Sequence, residues 1–319
     1  MKRRNLLLGS SVLGLALLWG IAGTAPALEV GIAQSDSKDA KAAGAEAATR
    51  AKAALGEQQA KLVLVYHGPD LFEDAAKLLD GVTSVFDPSI VYGCSGYAPL
   101  THQGGQPQVA VLALAGDLRV TAAASETAGK DDDLACGKRL GDSLKEAAGV
   151  EAAGRVLLLF GDCHVPRNDT VVKGVAAVLG NDLPVIGGAA FRGRSYFQGK
   201  IVERTNIGIL LSGDFKCRLA LLQDNSPEGL ITSARDAFQK AIGDDRDKVV
   251  LTFAFDCGGR RGKMLDIGNL DQELQAMKQV AGTRPIFGFY GSGEIGCTSN
   301  EAAPRGVGYH ISACAILGE

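Results

Sequence analysis

The sequence predicts an α/β protein: mixed β-sheets layered with helices, built from about three pseudo-repeats of β-α-β-α-β-β. Three observations predict it. Strand-like motifs recur in threes along the 319 residues. The central strand of each set is a continuous apolar run, as in strands buried on both faces. Between the strands lie paired segments with a helical period.

The recurrences set the order of elements. "LVLVYHG" (62–68), "VLLLFGDC" (156–163) and "VLTFAFDC" (250–257) fill one slot. "IVYGCSG", "PVIGGAA" and "PIFGFYG" fill another, each a short strand running into glycines. "LALAGDLRV" (112–120) and "ILLSGDFKC" (209–217) read as strand, tight Gly-Asp turn, strand, and "CAILGE" looks like the start of a third. Aligned this way, the chain divides at 29–117, 118–214 and 215–319. The first helices are "DAKAAGAEAATRAKAAL", "DDLACGKRLGDSLKEAAG" and "PEGLITSARDAFQKAIG". In the last, Leu230, Ile231, Ala234, Phe238, Ala241 and Ile242 form a stripe, and Ser226-Pro227-Glu228 supplies a cap, a first-turn proline and an acid. The second helices are "PDLFEDAAKLLDGV", "NDTVVKGVAAVLG" and "NLDQELQAMKQVAG". Abundant alanine and glycine predict close packing of elements. Two Gly-Asp hairpins would join neighbouring units, which leaves "EVGIAQ" and "ISACAILGE" as edges expected to pair with each other.

The formal charge is −3, and −6 without Lys2, Arg3 and Arg4. No dense basic cluster offsets this, which argues against a nucleic-acid partner. Residues 1–27 read as a signal peptide: a basic "MKRRN", an apolar stretch, and Ala25-Pro26-Ala27 for cleavage. Arg3-Arg4 has a twin-arginine character. The expected location is therefore the periplasm or cell envelope. The alternative is an uncleaved anchor in the inner membrane. Seven cysteines show no C-x-x-C and no ligand-like spacing with the four histidines, so no structural metal is expected. An odd count leaves at least one thiol free.

"GFYGSGEIG" (288–296) contains a formal G-x-G-x-x-G. A dinucleotide loop must open a helix. Here "CTSNEAAPRGVG" follows, without helical period, and Glu294 would oppose a phosphate.

"FDCGGRRGKM" (255–264), an acidic helix containing Glu273, and "RPIFGFYGSGEIGC" (284–297) resemble the C-terminal half of the FIST family. "VGIAQSDSKDAKAAGAEAA", "VYGCSG" and "VIGGAA" resemble its N-terminal half. The resemblance divides the chain into a FIST N-like region (28–214) and a FIST C-like region (215–319). It implies a sensory protein for signal transduction that binds a small ligand such as an amino acid, often beside a signalling partner. Some members bind haem and sense nitric oxide, which makes haem a candidate cofactor, with His164 or His310 as axial ligand. The chain departs from the family in its leader and in Gly291-Ser292, where many members carry a threonine-tyrosine pair. The motifs nominate Cys257, Arg260, Tyr290, Gly293, Glu294 and Gly296 as ligand-binding residues. Arg260 or Arg261 could meet a carboxylate bidentately, and Glu294 an ammonium. The competing reading is a structural Arg260–Glu294 bridge, with Cys257 a buried small hydrophobe. A cysteine-dependent extracytoplasmic enzyme is a further alternative, but no catalytic set stands out, Cys163-His164 included. Asp131-Asp132-Asp133 reads as a solvated helix start.

Overall fold

The computed structural model describes residues 28–129, 131–148, 154–162, 164 and 166–318. The leader and Cys163 lie outside them. Among the described residues no helix is long and apolar enough to cross a membrane.

The first unit runs β1 (Glu29–Ser35), α1 (Ala40–Ala54), β2 (Leu62–His67), α2 (Ala75–Thr83), β3 (Val91–Ser95), β4 (Ala98–Thr101) and β5 (Val109–Ala115). The second runs β6 (Leu118–Glu126), α3 (Asp133–Ala148), β7 (Gly154–Gly161), α4 (Arg167–Leu179), β8 (Val185–Ala189), β9 (Arg194–Phe197), β10 (Lys200–Glu203) and β11 (Thr205–Gly213). The third runs β12 (Lys216–Leu222), α5 (Pro227–Ile242), β13 (Val249–Cys257), α6 (Gly258–Asp266), α7 (Leu270–Ala281), β14 (Ile286–Gly291), β15 (Glu294–Gly296), β16 (Arg305–Val307) and β17 (Ile311–Leu317).

Each unit builds its own sheet in one order: β1-β5-β2-β3, β6-β11-β7-β8 and β12-β17-β13-β14. Each sheet is then extended by strands from another unit. β9 and β10 join β3, β15 and β16 join β8, and β4 joins β14. The stretches expected to be glycine-rich loops thus contain strands, because a neighbour's sheet edge pairs their backbone.

Two expectations are corrected. The Gly-Asp turns are not hairpins: β5 and β6 lie in different sheets, as do β11 and β12. They are corners at which the chain changes sheet. The terminal strands do not pair either. β1 is an edge strand beside β5, whereas β17 lies between β12 and β13 in another sheet. The first and third units are joined instead through β4, whose Ala98 faces Tyr290.

Alternation along the central strands sorts the core. Leu62, Leu64 and Tyr66 of β2, Val156, Leu158 and Phe160 of β7, and Leu251, Phe253 and Phe255 of β13 meet in one central cluster. The intervening residues pack outward against the helices, Val63 and Val65 with α1 and α2 for example. Register identifies equivalent positions. Val65, Leu159 and Ala254 face Gly93, Gly187 and Gly288. A Cβ on any of these glycines would lie 1.6–2.0 Å from the facing carbonyl oxygen, so only glycine allows that approach. One residue further on, the rings of Tyr66, Phe160 and Phe255 form a triangle with centroids 5.8, 6.1 and 6.3 Å apart. This triangle marks the centre of the pseudo-threefold arrangement. Helices also pack closely: a Cβ on Gly44 of α1 would lie 2.2 Å from the Leu78 carbonyl oxygen of α2.

Candidate functional site

β13 runs directly into α6, and the junction gathers the candidate residues. Cys257 caps α6 in extended conformation. Gly258 and Gly259 follow because aromatic rings lie on them: added Cβ atoms would meet Tyr97 at 2.2 Å and Tyr309 at 2.9 Å. One turn in, Arg260 points into the protein and is fully buried.

All five guanidinium N–H groups of Arg260 have protein acceptors. Nε donates to Asp256 Oδ1 at 2.8 Å, and Nη2 to Glu273 Oε1 at 3.0 Å and the Leu230 carbonyl at 2.8 Å. Nη1 donates to Ser233 Oγ at 3.1 Å and the Asp224 carbonyl at 3.2 Å. Burial opposes its charge, but Asp256 and Glu273 together hold its pKa above the ordinary range. Burial pushes Glu273 well above the usual carboxylate range, and Asp256 adds to this while Arg260 offsets it. Tyr290 donates from its hydroxyl to Glu273 Oε2 at 2.9 Å.

Glu294 is also fully buried. Its Oε2 accepts from the His310 amide at 2.8 Å, and its Oε1 has no hydrogen-bond partner. Burial raises its pKa well above the usual carboxylate range, partly offset by that amide. The Cys257 thiol lies against it. Burial and then Glu294 push this thiol up to about 11, although amides of Arg260, Tyr309 and Gly259 point at it.

The structure therefore brings Cys257, Arg260, Tyr290 and Glu294 around Asp256. It does not pair Arg260 with Glu294: the partners of Arg260 are Asp256 and Glu273. Gly293 and Gly296 serve strand packing. The Gly293 carbonyl accepts from Ala189 N at 2.8 Å, and a Cβ on Gly296 would lie 2.2 Å from Ser312 Oγ. Asp133 is buried and pairs with Arg167 at 2.8 Å, so this part of the acidic run is not a solvated helix start. His164 is exposed, while His310 is half-buried with Nδ1 2.7 Å from the Gly308 carbonyl.

The next residue of α6 behaves differently. Arg261 is half-buried, with its guanidinium 5.8 Å from the Tyr290 ring centroid. Nη2 donates to Gln106 Oε1 at 3.0 Å, and Nε is buried without a partner. Burial lowers its pKa, only partly offset by Tyr290. Arg261 borders a cleft of about 210 Å³ between the first and third units, shared with Gly68, Asp70, Tyr97, Gln106 and Gln108. A larger cleft of about 360 Å³ beside Asp162 also holds arginines. There Arg167 and Arg204 already face Asp133 and Glu126 at 2.8 Å. Asp256 and Glu273 were missing from the sequence-derived site, yet Asp256 stands four residues before Arg260, the spacing of a helical ion pair.

The FIST N domain model matches residues 61–237, more than half of the chain, and the FIST C domain model matches residues 200–297. A search of curated proteins gave no match. Two solved structures share the fold. A cyanuric acid hydrolase from A. caulinodans is 12% identical with a TM-score of 0.51, over 92% of this chain and 100% of that one. A second cyanuric acid hydrolase, described as an evolutionary innovation by structural concatenation, is 11% identical with a TM-score of 0.50, over 92% and 100%. At these identities the likeness concerns fold alone.

Proposed function

The chain belongs to the FIST family of small-ligand sensory domains, and on that premise we propose that it senses a small zwitterion of the amino-acid type in the cleft beside α6. The observation that carries this reading is Arg261. A half-buried guanidinium with a partnerless Nε and, among the described residues, no ion pair is only partly compensated for its desolvation by Gln106 and Tyr290. A ligand carboxylate supplies what it lacks, in the planar geometry that a guanidinium favours. Asp70, an exposed carboxylate in the same cleft, offers the complement for an ammonium group. A volume of about 210 Å³ suits a metabolite of that size.

In this reading Arg260 positions α6 and does not touch the ligand. Its network fixes the start of the helix, and Arg261 follows one residue later. The strand-end cluster is thus the support, and the cleft is the binding surface. We read the protein as a binding protein rather than an enzyme. Its leader supports export to the periplasm or cell envelope, with signal passed to a separate partner.

A thermal-shift panel of amino acids, simple carboxylates and simple amines on the chain lacking residues 1–27 tests the reading. Compounds carrying both charges should raise the melting temperature more than either parent group alone. A panel in which no carboxylate has any effect contradicts it.

A further inference from the structure

A second chemistry lies on the inner face of the third sheet. Cys217 of β12, Cys314 of β17 and Cys297 just after β15 belong to the central apolar cluster. β12 and β17 run antiparallel, with Cys217 opposite Ile316 and Leu219 opposite Cys314. The two cysteines therefore lie two positions out of register on one face, a diagonal pair whose side chains are neighbours.

Access separates them. Cys314 and Cys297 are 0% and 1% exposed, while Cys217 is 9% exposed. Cys217 also borders an open cleft of about 520 Å³. Its thiol donates to the Arg155 carbonyl at 3.5 Å. A hydrogen bond from the Cys314 thiol pulls its pKa below the ordinary range against the effect of burial, and the same contact together with burial pushes Cys314 well up. The more accessible thiol is thus the more acidic one, with a buried thiol behind it. The cleft also carries Arg155, Lys216 and Arg218 against Asp245. Asp245 is held by Arg218 at 2.6 Å, so the exposed Lys216 beside Cys217 gives the cleft its cationic character.

We propose that Cys217 and Cys314 are a redox-active thiol pair that exchanges with an acidic low-molecular-mass disulfide docked in this cleft. The Cys217 thiolate attacks one sulfur of the disulfide. Its S–S bond breaks, a mixed disulfide forms on Cys217, and one thiolate leaves. Cys314 gives its proton to that leaving thiolate and attacks Cys217 Sγ. The Cys217–Cys314 bond forms, and the second thiolate departs and takes up the proton that Cys217 released. Two protein thiols lose two electrons, and the small disulfide is reduced to two thiols. The cationic lining favours an anionic disulfide over a cationic one by simple attraction.

Oxidised glutathione, incubated with the native full chain, tests the pair. Intact mass should fall by two hydrogens, and peptide mapping should place the bond between Cys217 and Cys314, reversible by dithiothreitol. Cys314→Ser should accumulate one glutathionyl adduct on Cys217, and Cys217→Ser should show neither product. Cystamine, a cationic disulfide, should react at least tenfold more slowly at low salt, with the gap narrowing as salt rises. A bond mapped elsewhere, or reaction of Cys217 only in denaturant, overturns the proposal without need of any variant. So does wild-type protein that stops at the mixed disulfide. Equal or faster reaction with cystamine overturns the acidic-ligand assignment.

Discussion

The ends of β2 and β13 occupy one place in the repeat and carry opposite chemistry. Register makes His67 the counterpart of Asp256, since Val65 faces Gly93 as Ala254 faces Gly288. In the first unit the slot holds a buried imidazole. Its Nε2 bonds the Tyr196 hydroxyl and its Nδ1 lies 2.7 Å from the Gly68 carbonyl. Burial lowers its pKa to about 4, so it is neutral. In the third unit the slot opens a buried network of one guanidinium and two carboxylates. Glycines that a backbone cannot replace hold both strands in the same place, so the fold tolerates either solution. What differs is the next segment. After β2 comes a single turn at Pro69–Leu71, while after β13 comes a full helix. That helix brings Arg261, which has no ion pair among the described residues, to the cleft between the two units.

The comparison breaks most severely at Arg260. Arg260→Ala leaves Asp256 and Glu273 buried without their cation, and should lower stability by about 3–5 kcal/mol in chemical denaturation. Arg261→Ala should change it by less than about 1 kcal/mol, since no ion pair is lost. Equal losses would remove the distinction between support and binding surface.

The two units should also respond to pH with opposite slopes. His67 has a folded pKa near 4, below its ordinary 6.5, so the unfolded chain takes the proton first. Its contribution is complete above pH 6.5 and is lost as pH falls toward 4, about 3 kcal/mol in all. Glu294 has a folded pKa raised above 4.5, so the unfolded chain gives up its proton first. Its contribution is complete below pH 4.5 and is lost as pH rises through the raised folded value. Urea titrations at stepped pH should show His67→Gln flattening the loss of stability on the acid side and Glu294→Gln flattening the loss above pH 4.5. An unchanged acid slope in His67→Gln would place the titration elsewhere.

The smallest effect concerns the central triangle. Tyr66 differs from Phe160 and Phe255 by a hydroxyl that is buried without a partner. Tyr66→Phe should gain up to about 1 kcal/mol by calorimetry. A loss would mean that the hydroxyl has a partner in solution.

The triple recurrence was legible because strand ends and glycines are local signals, and the unit boundaries follow them closely. The helices were legible from their period. The sheet-changing corners at Gly116-Asp117 and Gly213-Asp214 were not, because a Gly-Asp pair looks the same whether the flanking strands pair or part. The lending of β4, β9 and β15 was hidden for the same reason: pairing partners are set by tertiary placement. In the site, sequence named Cys257, Arg260, Tyr290 and Glu294 of the buried cluster but not Asp256 or Glu273, which hold Arg260. Arg260 and Arg261 are adjacent and identical in type. Only the phase of α6 decides that one faces Asp256 and the other the cleft. That helix was itself obscure, since "CGGRRG" opens it with two residues of poor helical propensity.

The central claim is that Arg261 receives a ligand carboxylate. Isothermal titration of the wild type and Arg261→Gln with the most stabilising compound of the panel, where both proteins are folded, tests it most directly. The account predicts a loss of about 2–4 kcal/mol in binding free energy, since the carboxylate is left desolvated and unpaired. Unchanged affinity in Arg261→Gln would contradict it.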